Sequence, residues 1–288
     1  MLYYLQNTKI SRGEQIIMEA YERLLNYVTI LTPSDENSQT IPSSGCQFDL
    51  ARVLEKEMKE LGLTDVYLDD KCYLYGKLPA TEGYESCPSI GFIAHMDTVS
   101  DFCDHQICPI LTGNYSGEAL DLGNSGLVLD PNVFPHLSSL KGRTLITSDG
   151  TTILGADDKA GIAEILTMAE HLINEEIPHG PISVAFTPDE EIGSGAEYFD
   201  IDRFGAQFAY TLDGDTEGEI QFENFHACKA DFEITGFNVH PGSSKDTMIN
   251  ACLVAMEINA ALPSMETPRN TEDYEGFYHL IDMNGDVS

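Results

Sequence analysis

Basic residues are scarce in this sequence. Its 288 residues carry 15 Lys and Arg against 48 Asp and Glu, a formal net charge of −33. A chain so acidic repels a phosphate backbone and an anionic bilayer surface, which argues against nucleic-acid and membrane partners. No run of about 18 apolar residues is present, so no segment has the make-up of a membrane-spanning helix. The opening MLYYLQNTKISRGEQ lacks the apolar stretch and small-residue cleavage site of a signal peptide. CxxC pairs are absent, and the seven cysteines are odd in number. They read as reduced, mostly buried thiols of a cytoplasmic protein. Cys103 to Cys108 lacks the spacing and the four ligands of a structural zinc site. Internal repeats and low-complexity tracts are missing too.

The composition that remains is globular: 42% hydrophobic and 9% aromatic. Tyr21, Leu24, Leu25, Val28 and Leu31 share one face of a helix that starts near Met18. Phe48, Ala51, Leu54, Met58 and Leu61 stripe a second. Strands are predicted at 66–68, 72–78, 90–94, 182–187 and 208–212, and a third helix carries Ile162 to Leu172. Residues 101–140 are rich in loop formers. Asp149-Gly150, between β-branched arms, predicts a hairpin over 144–154. Strands alternating with helices imply an α/β layered domain over 18–223. Residues 224–288 read as part of a second, smaller α+β domain, with strands at 232–235 and 276–281 and a helix near 246–262. Residues 1–17 show no clean period.

Four polar clusters follow strands or open a helix: His95-Met96-Asp97, Asp157-Asp158-Lys159, Asp189-Glu190-Glu191 and Asp213-Gly214-Asp215. Open α/β sheets place their sites at the carboxyl ends of strands. Singly, each cluster has an ordinary structural reading: a core histidine, a helix cap, a solvated loop. Together they supply what hydrolysis over two divalent ions requires, namely a bridging carboxylate, imidazole and carboxylate ligands, and a free carboxylate as base. Asp97, two residues after His95, can fix the ring's tautomer. In the Glu-Glu pair one side chain can bind metal while its neighbour stays free.

The segments Gly91-Phe92-Ile93-Ala94-His95-Met96-Asp97-Thr98, Leu154-Gly155-Ala156-Asp157-Asp158-Lys159-Ala160-Gly161 and Phe186-Thr187-Pro188-Asp189-Glu190-Glu191-Ile192-Gly193 resemble the peptidase T family, the tripeptide aminopeptidase branch of the co-catalytic dizinc exopeptidases. Gly236 to Gly242 and Tyr274 to Leu280 are similar to the same branch, and the likeness runs from about Met18 to the last residue. The resemblance implies a zinc-exopeptidase-like layered catalytic domain with a smaller α+β lid, and two Zn2+ per subunit. His95 and Asp213 would hold one zinc and Asp157 would bridge to a second, ligated by Glu191. Glu190 would be the general base, Asp97 would orient His95, and His240 on the lid would reach the substrate. Short peptides would be the substrates, and a homodimer through the lid is implied.

Family members continue beyond residue 288, where the second zinc's histidine and a substrate-binding arginine lie. The sequence therefore reads as a truncated member, both domains incomplete at the C-terminus, with weak or no activity alone. Met18 reads as the true start, the first 17 residues being translated upstream sequence. The competing readings are a related dizinc dipeptidase or N-acyl amino-acid deacylase, and an inactive metal-binding fragment.

Overall fold

A computed structural model of the chain describes residues 3–5, 17–123, 125–214 and 216–288. It divides into two compact units, Met1–Ile220 and Gln221–Ser288.

The first unit is built on a five-stranded sheet. Its strands are β2 (Thr64–Leu68), β3 (Leu74–Leu78), β4 (Ile90–His95), β9 (Ile182–Thr187) and β10 (Phe208–Thr211), in the order β10-β4-β9-β3-β2. β10, β4 and β9 run parallel, whereas β3 pairs antiparallel with β9 and β2 antiparallel with β3. β9 is buried along its whole length, as expected of an interior strand covered on both faces. Its alternation sorts the two layers. Ile182, Val184 and Phe186 join the main core, while Ala185 joins a second cluster with Tyr73, Tyr75 and Phe204.

The main core is closed by α1 (Ala20–Tyr27), α2 (Gln47–Leu61) and α3 (Ala156–Asn174). Leu50, Leu54 and Met58 of α2, one turn apart, are fully buried, and Gly62 ends the helix in the left-handed conformation. The short α4 (Ile201–Phe204) supplies Phe204 to the second cluster. Arg23, 2% exposed, ties the three main helices together. Its guanidinium donates to Glu57 of α2 at 2.7 Å and to Glu170 and Thr167 of α3 at 2.6 and 2.9 Å.

Several expectations change. Thr144–Ser148 forms β8, but no hairpin follows Asp149-Gly150. Both edges of β8 are occupied, one by β1 (Tyr3–Leu5) and the other by β5 (Pro109–Thr112), so a returning arm has no edge to pair with. The 101–140 region holds β5 and two short strands, β6 (Leu120–Asp121) and β7 (Val128–Leu129). Only Cys72 and Cys103 of the seven unpaired cysteines are buried, because Cys87, Cys108 and Cys228 fall on exposed loops.

In the second unit one helix, α5 (Ala251–Ala261), is capped by the Asn250 side chain accepting from Leu253 N–H. It starts after residue 250 because that cap ends the preceding extended chain. Residues 232–235 and 276–281 form no β-ladder among the described residues, a lone bond from Tyr278 N–H to the Glu266 carbonyl aside, and an alternating pattern alone does not make a strand. The nearest approach to a sheet is a single bridge between Phe237 and Ile249. Among the described residues, no helix is long and apolar enough to cross a membrane.

Candidate metal centre

Three parallel strands end on the same side of the sheet, and their next residues carry the chemistry. β4 ends on His95, whose ring is 2% exposed. Its Nδ1 lies 2.9 Å from the main-chain carbonyl of Asp97. A carbonyl only accepts, so Nδ1 carries a hydrogen and Nε2 is the nitrogen presented to the site. The Asp97 carboxylate lies farther from the ring, at 3.4 Å. Nε2 faces Asp157 Oδ1 at 3.1 Å, Asp213 Oδ2 at 3.7 Å and Glu190 Oε2 at 3.9 Å.

Asp157 stands on the approach to α3 and does not cap it. Gly155 occupies the N-cap with φ +68°, and both Asp157 and Asp158 have non-helical backbone angles. Asp158 points inward and is 1% exposed. It accepts from the main-chain N–H of His95 at 3.2 Å and of Gly161 at 3.1 Å, fastening the start of α3 to the end of β4. Gly161 has no alternative. A Cβ there would run into the carbonyl of Leu212, one residue before Asp213, so only glycine lets α3 approach the end of β10 this closely.

Glu190 and Glu191 open a 3₁₀ turn (Glu190–Ile192) after Asp189, which sits in the left-handed region at φ +53°. Asp97 holds this turn. Its fully buried carboxylate accepts from Glu190 N–H at 2.9 Å and from Glu191 N–H at 3.1 Å. Besides flanking His95, Asp97 therefore acts as a clamp on the Glu-Glu backbone. Tyr73 adds a further hold, its hydroxyl accepting from Tyr198 N–H at 3.2 Å and lying 3.4 Å from the Ser194 carbonyl.

The electrostatics follow from six carboxylates around one imidazole. Burial works to lower the His95 pKa, but Asp157 and Asp97 outweigh it and push it up to about 11. The hydrogen bond from His95 holds Asp157 below its ordinary value. Burial raises Asp158 to about 9, and burial together with Asp157 raises Asp213 to about 6. Glu191 is raised as well, again by burial first. Without a cation, the cluster keeps a proton on His95 to offset its own negative charge.

The donor set fits divalent metal. Two overlapping groups, His95 with Asp157 and Glu191, and His95 with Glu190 and Asp213, bring ligand atoms within 4.8 Å of one another. Imidazole nitrogen with carboxylate oxygen suits zinc, manganese or cobalt. The pairing differs from the simplest expectation, because Glu190 approaches Nε2 about as closely as Asp213 does. His240 sits on a separate 3₁₀ turn (Pro241–Ser243) in the second unit, its Nδ1 accepting from Gly242 N–H at 3.1 Å. Asp215 lies outside the described residues.

Residues 149–272 match the model of peptidase family M20/M25/M40. A protein named peptidase T from Clostridium novyi (strain NT) is 50% identical over 274 residues, covering 94% of this chain and 67% of that protein. The chain belongs to peptidase family M20/M25/M40. Peptidase T of Desulfitobacterium hafniense (strain Y51) is 55% identical over 268 residues, 92% of this chain. The chain spans about two thirds of the length of such curated relatives, 65% in that case. Among solved structures of the fold, a tripeptidase (SAV1512) from Staphylococcus aureus superposes with a TM-score of 0.56 at 22% identity, covering 88% of this chain and 58% of its own. Aminopeptidase PepT from Bacillus cereus ATCC 10987 gives 0.54 at 24% identity, covering 85% and 56%. The M20/M25/M40 motifs were visible as clusters in the sequence. Ser43 and Gln47, whose side chains hydrogen-bond to Asp189, were not, since nothing local distinguishes them from any polar residue near a helix start.

Proposed function

We propose that this chain carries the metal centre of a tripeptide aminopeptidase, which hydrolyses the first peptide bond of a tripeptide to release its N-terminal amino acid. The observation that carries the reading is the convergence of Asp157, Glu190 and Asp213 on His95 Nε2, at the ends of parallel strands, in a chain half identical to proteins named peptidase T.

His95, Asp157, Glu191 and Asp213 would hold two Zn2+. Bound there, the pair supplies Lewis acidity, polarising the scissile carbonyl and making water acidic enough to attack near neutral pH. The chain's own groups do the rest. His95 is held by the Asp97 carbonyl in the tautomer that offers Nε2. Asp97 also fixes the backbone from which Glu190 projects, and the Glu190 side chain is half exposed, open to solvent and substrate. Glu190 accepts a proton from the attacking water and returns it to the departing amine, a role worth about 10²–10⁴-fold in rate. Asp158 fastens the approach to α3, which carries Asp157, to the end of β4.

The second unit would serve as a lid, with His240 reaching the substrate; a homodimer through that lid and a cytoplasmic location complete the reading. Its support is the named relatives and the resemblance of the motifs around His240 and Tyr274. The test is release of free N-terminal amino acid from trialanine by the 288-residue chain in Zn2+, with Glu190→Gln as control. Turnover in the parent, however weak, that is lost in Glu190→Gln is the expected result, and none in the parent would favour the reading as an inactive metal-binding fragment. Turnover unchanged in Glu190→Gln would remove Glu190 from the mechanism.

A further inference from the structure

Asp189 precedes the Glu-Glu pair but points away from it, into the protein. Its side chain is 1% exposed, and its partners come from one place. Asp189 Oδ2 accepts from Ser43 N–H at 2.7 Å; Oδ1 accepts from the Ser43 hydroxyl at 2.5 Å and from Gln47 Nε2 at 2.7 Å. Gln47 closes the clasp in the other direction, its Oε1 accepting from Asp189 N–H at 3.3 Å. Gln47 is fully buried and Ser43 nearly so.

The same stretch of chain grips the other half of the site. The Thr32 hydroxyl donates to the Met96 carbonyl at 2.7 Å. Thr98 N–H donates to the Thr32 carbonyl at 3.0 Å, and Ser34 N–H to the Thr98 carbonyl at 3.0 Å. Asp97 lies between Met96 and Thr98. Residues 32–47 thus hold both sides of the contact in which Asp97 clamps Glu190 and Glu191. They do so through buried, charge-assisted or main-chain bonds, of the kind that set ligand orientation from outside the metal's own coordination.

We infer that residues 32–47 form a brace whose Ser43 and Gln47, acting through Asp189, are positioning residues for Glu190 and Glu191. The inference rests on the reading of this cluster as a metal centre and goes beyond it. The brace explains why Asp189 adopts a positive φ: the turn must send its carboxylate to Gln47 while sending the next two side chains to His95. Neither Ser43 nor Gln47 reaches the cluster itself, so their effect passes through the turn alone.

The test uses the full chain stripped of metal, with Co2+ as probe. Affinity is read by calorimetry and ligand geometry by the visible spectrum. Gln47→Met keeps the side chain's length and removes both of its bonds to Asp189. It is expected to weaken Co2+ binding by about 10- to 100-fold and to alter the spectrum. Ser43→Ala removes one bond to Asp189, together with the bonds the hydroxyl accepts from Asp35 N–H and Gln47 Nε2, and is expected to move the same way by less, whereas Ser43→Thr restores the hydroxyl and the parent behaviour. Tyr27→Phe is the comparison: it loses a part-buried hydrogen bond to Glu57 at 2.6 Å, remote from the turn, and should lower Tm without changing Co2+ affinity. Gln47→Met and Ser43→Ala that bind Co2+ as the parent does would overturn the inference, as would equal losses in Tyr27→Phe. A parent chain that takes up no Co2+ would overturn the metal-centre reading, and this inference with it.

Discussion

β4 and β9 lie side by side, parallel and paired from Ile90 with Ile182 to His95 with Thr187, yet their ends are held in opposite ways. The ring at the end of β4 is set locally. His95 is buried, and the bond that sets its tautomer comes from a carbonyl two residues along its own chain. The end of β9 is held from outside. Its two glutamates stand partly in solvent, and the turn beneath them hangs on Asp97, Ser43 and Gln47, 93 to 146 residues away in sequence. The comparison shows where such a site is vulnerable: the imidazole is fixed by local geometry, the carboxylates by tertiary structure.

The comparison can be broken most severely at Asp97, which belongs to both ends. Asp97→Ala removes the buried carboxylate that accepts from the part-buried N–H groups of Glu190 and Glu191 and is expected to reduce stability by about 2–3 kcal/mol, with loss of Co2+ uptake. Denaturant unfolding checks the first, calorimetry the second. Gly161→Ala attacks the third strand end, forcing α3 off the Leu212 carbonyl. A loss of about 1–3 kcal/mol is expected, together with weaker metal binding as Asp213 shifts.

A pH series sharpens the electrostatic side. His95, Asp158 and Asp213 are raised, from 6.5 to about 11, from 3.8 to about 9 and from 3.8 to about 6. The folded chain keeps protons there that the unfolded chain releases, so each contribution is complete below the ordinary value and fades as pH rises through the raised one. Asp157 acts oppositely, but its contribution is lost only as pH falls through the acid range. Between pH 6.5 and 9 the metal-free chain should therefore lose Tm as pH rises, most steeply below about 8. Buried Lys159, lowered to about 8 by desolvation, acts oppositely in the upper part of this range but is one group against His95 and Asp158. Zn2+ should flatten the slope, because a cation at Nε2 replaces the His95 proton. A metal-free Tm that climbs over this range in scanning calorimetry would contradict the assignment. The smallest effect is expected of Thr32→Val, about 1 kcal/mol of stability with Co2+ affinity falling less than in Gln47→Met, because the main-chain bond from Thr98 N–H to the Thr32 carbonyl still holds the Asp97 side.

The sequence made the scaffold legible where periodicity was strong and burial two-sided. α2 showed a stripe at helical spacing, and β9 a short, mostly apolar run, Ile182 to Thr187, bounded by Pro181 and Pro188. His95, Asp157, Glu190 and Asp213 could be seen as clusters after apolar strands, and their motifs carried the likeness to the peptidase T family. Partnerships were harder to read. Asp149-Gly150 has the chemistry of a hairpin turn, but whether a hairpin forms depends on a free edge, and β8 has none. The alternation at 232–235 likewise lacks a neighbour to pair with among the described residues. Ser43 and Gln47 are ordinary polar residues until the fold sets them against Asp189.

The order β10-β4-β9 also bears on when such a site can exist during folding. Its ligands come from four segments spread between residues 95 and 213, and no two of the segments are adjacent along the chain. An unfolded molecule offers only isolated carboxylates and a lone imidazole, scattered over long loops whose closure is slow. The cluster comes into being when the three parallel strands reach register. The rate at which a refolding chain acquires the Co2+ colour would therefore time the closing of the sheet, with the cation as its clock.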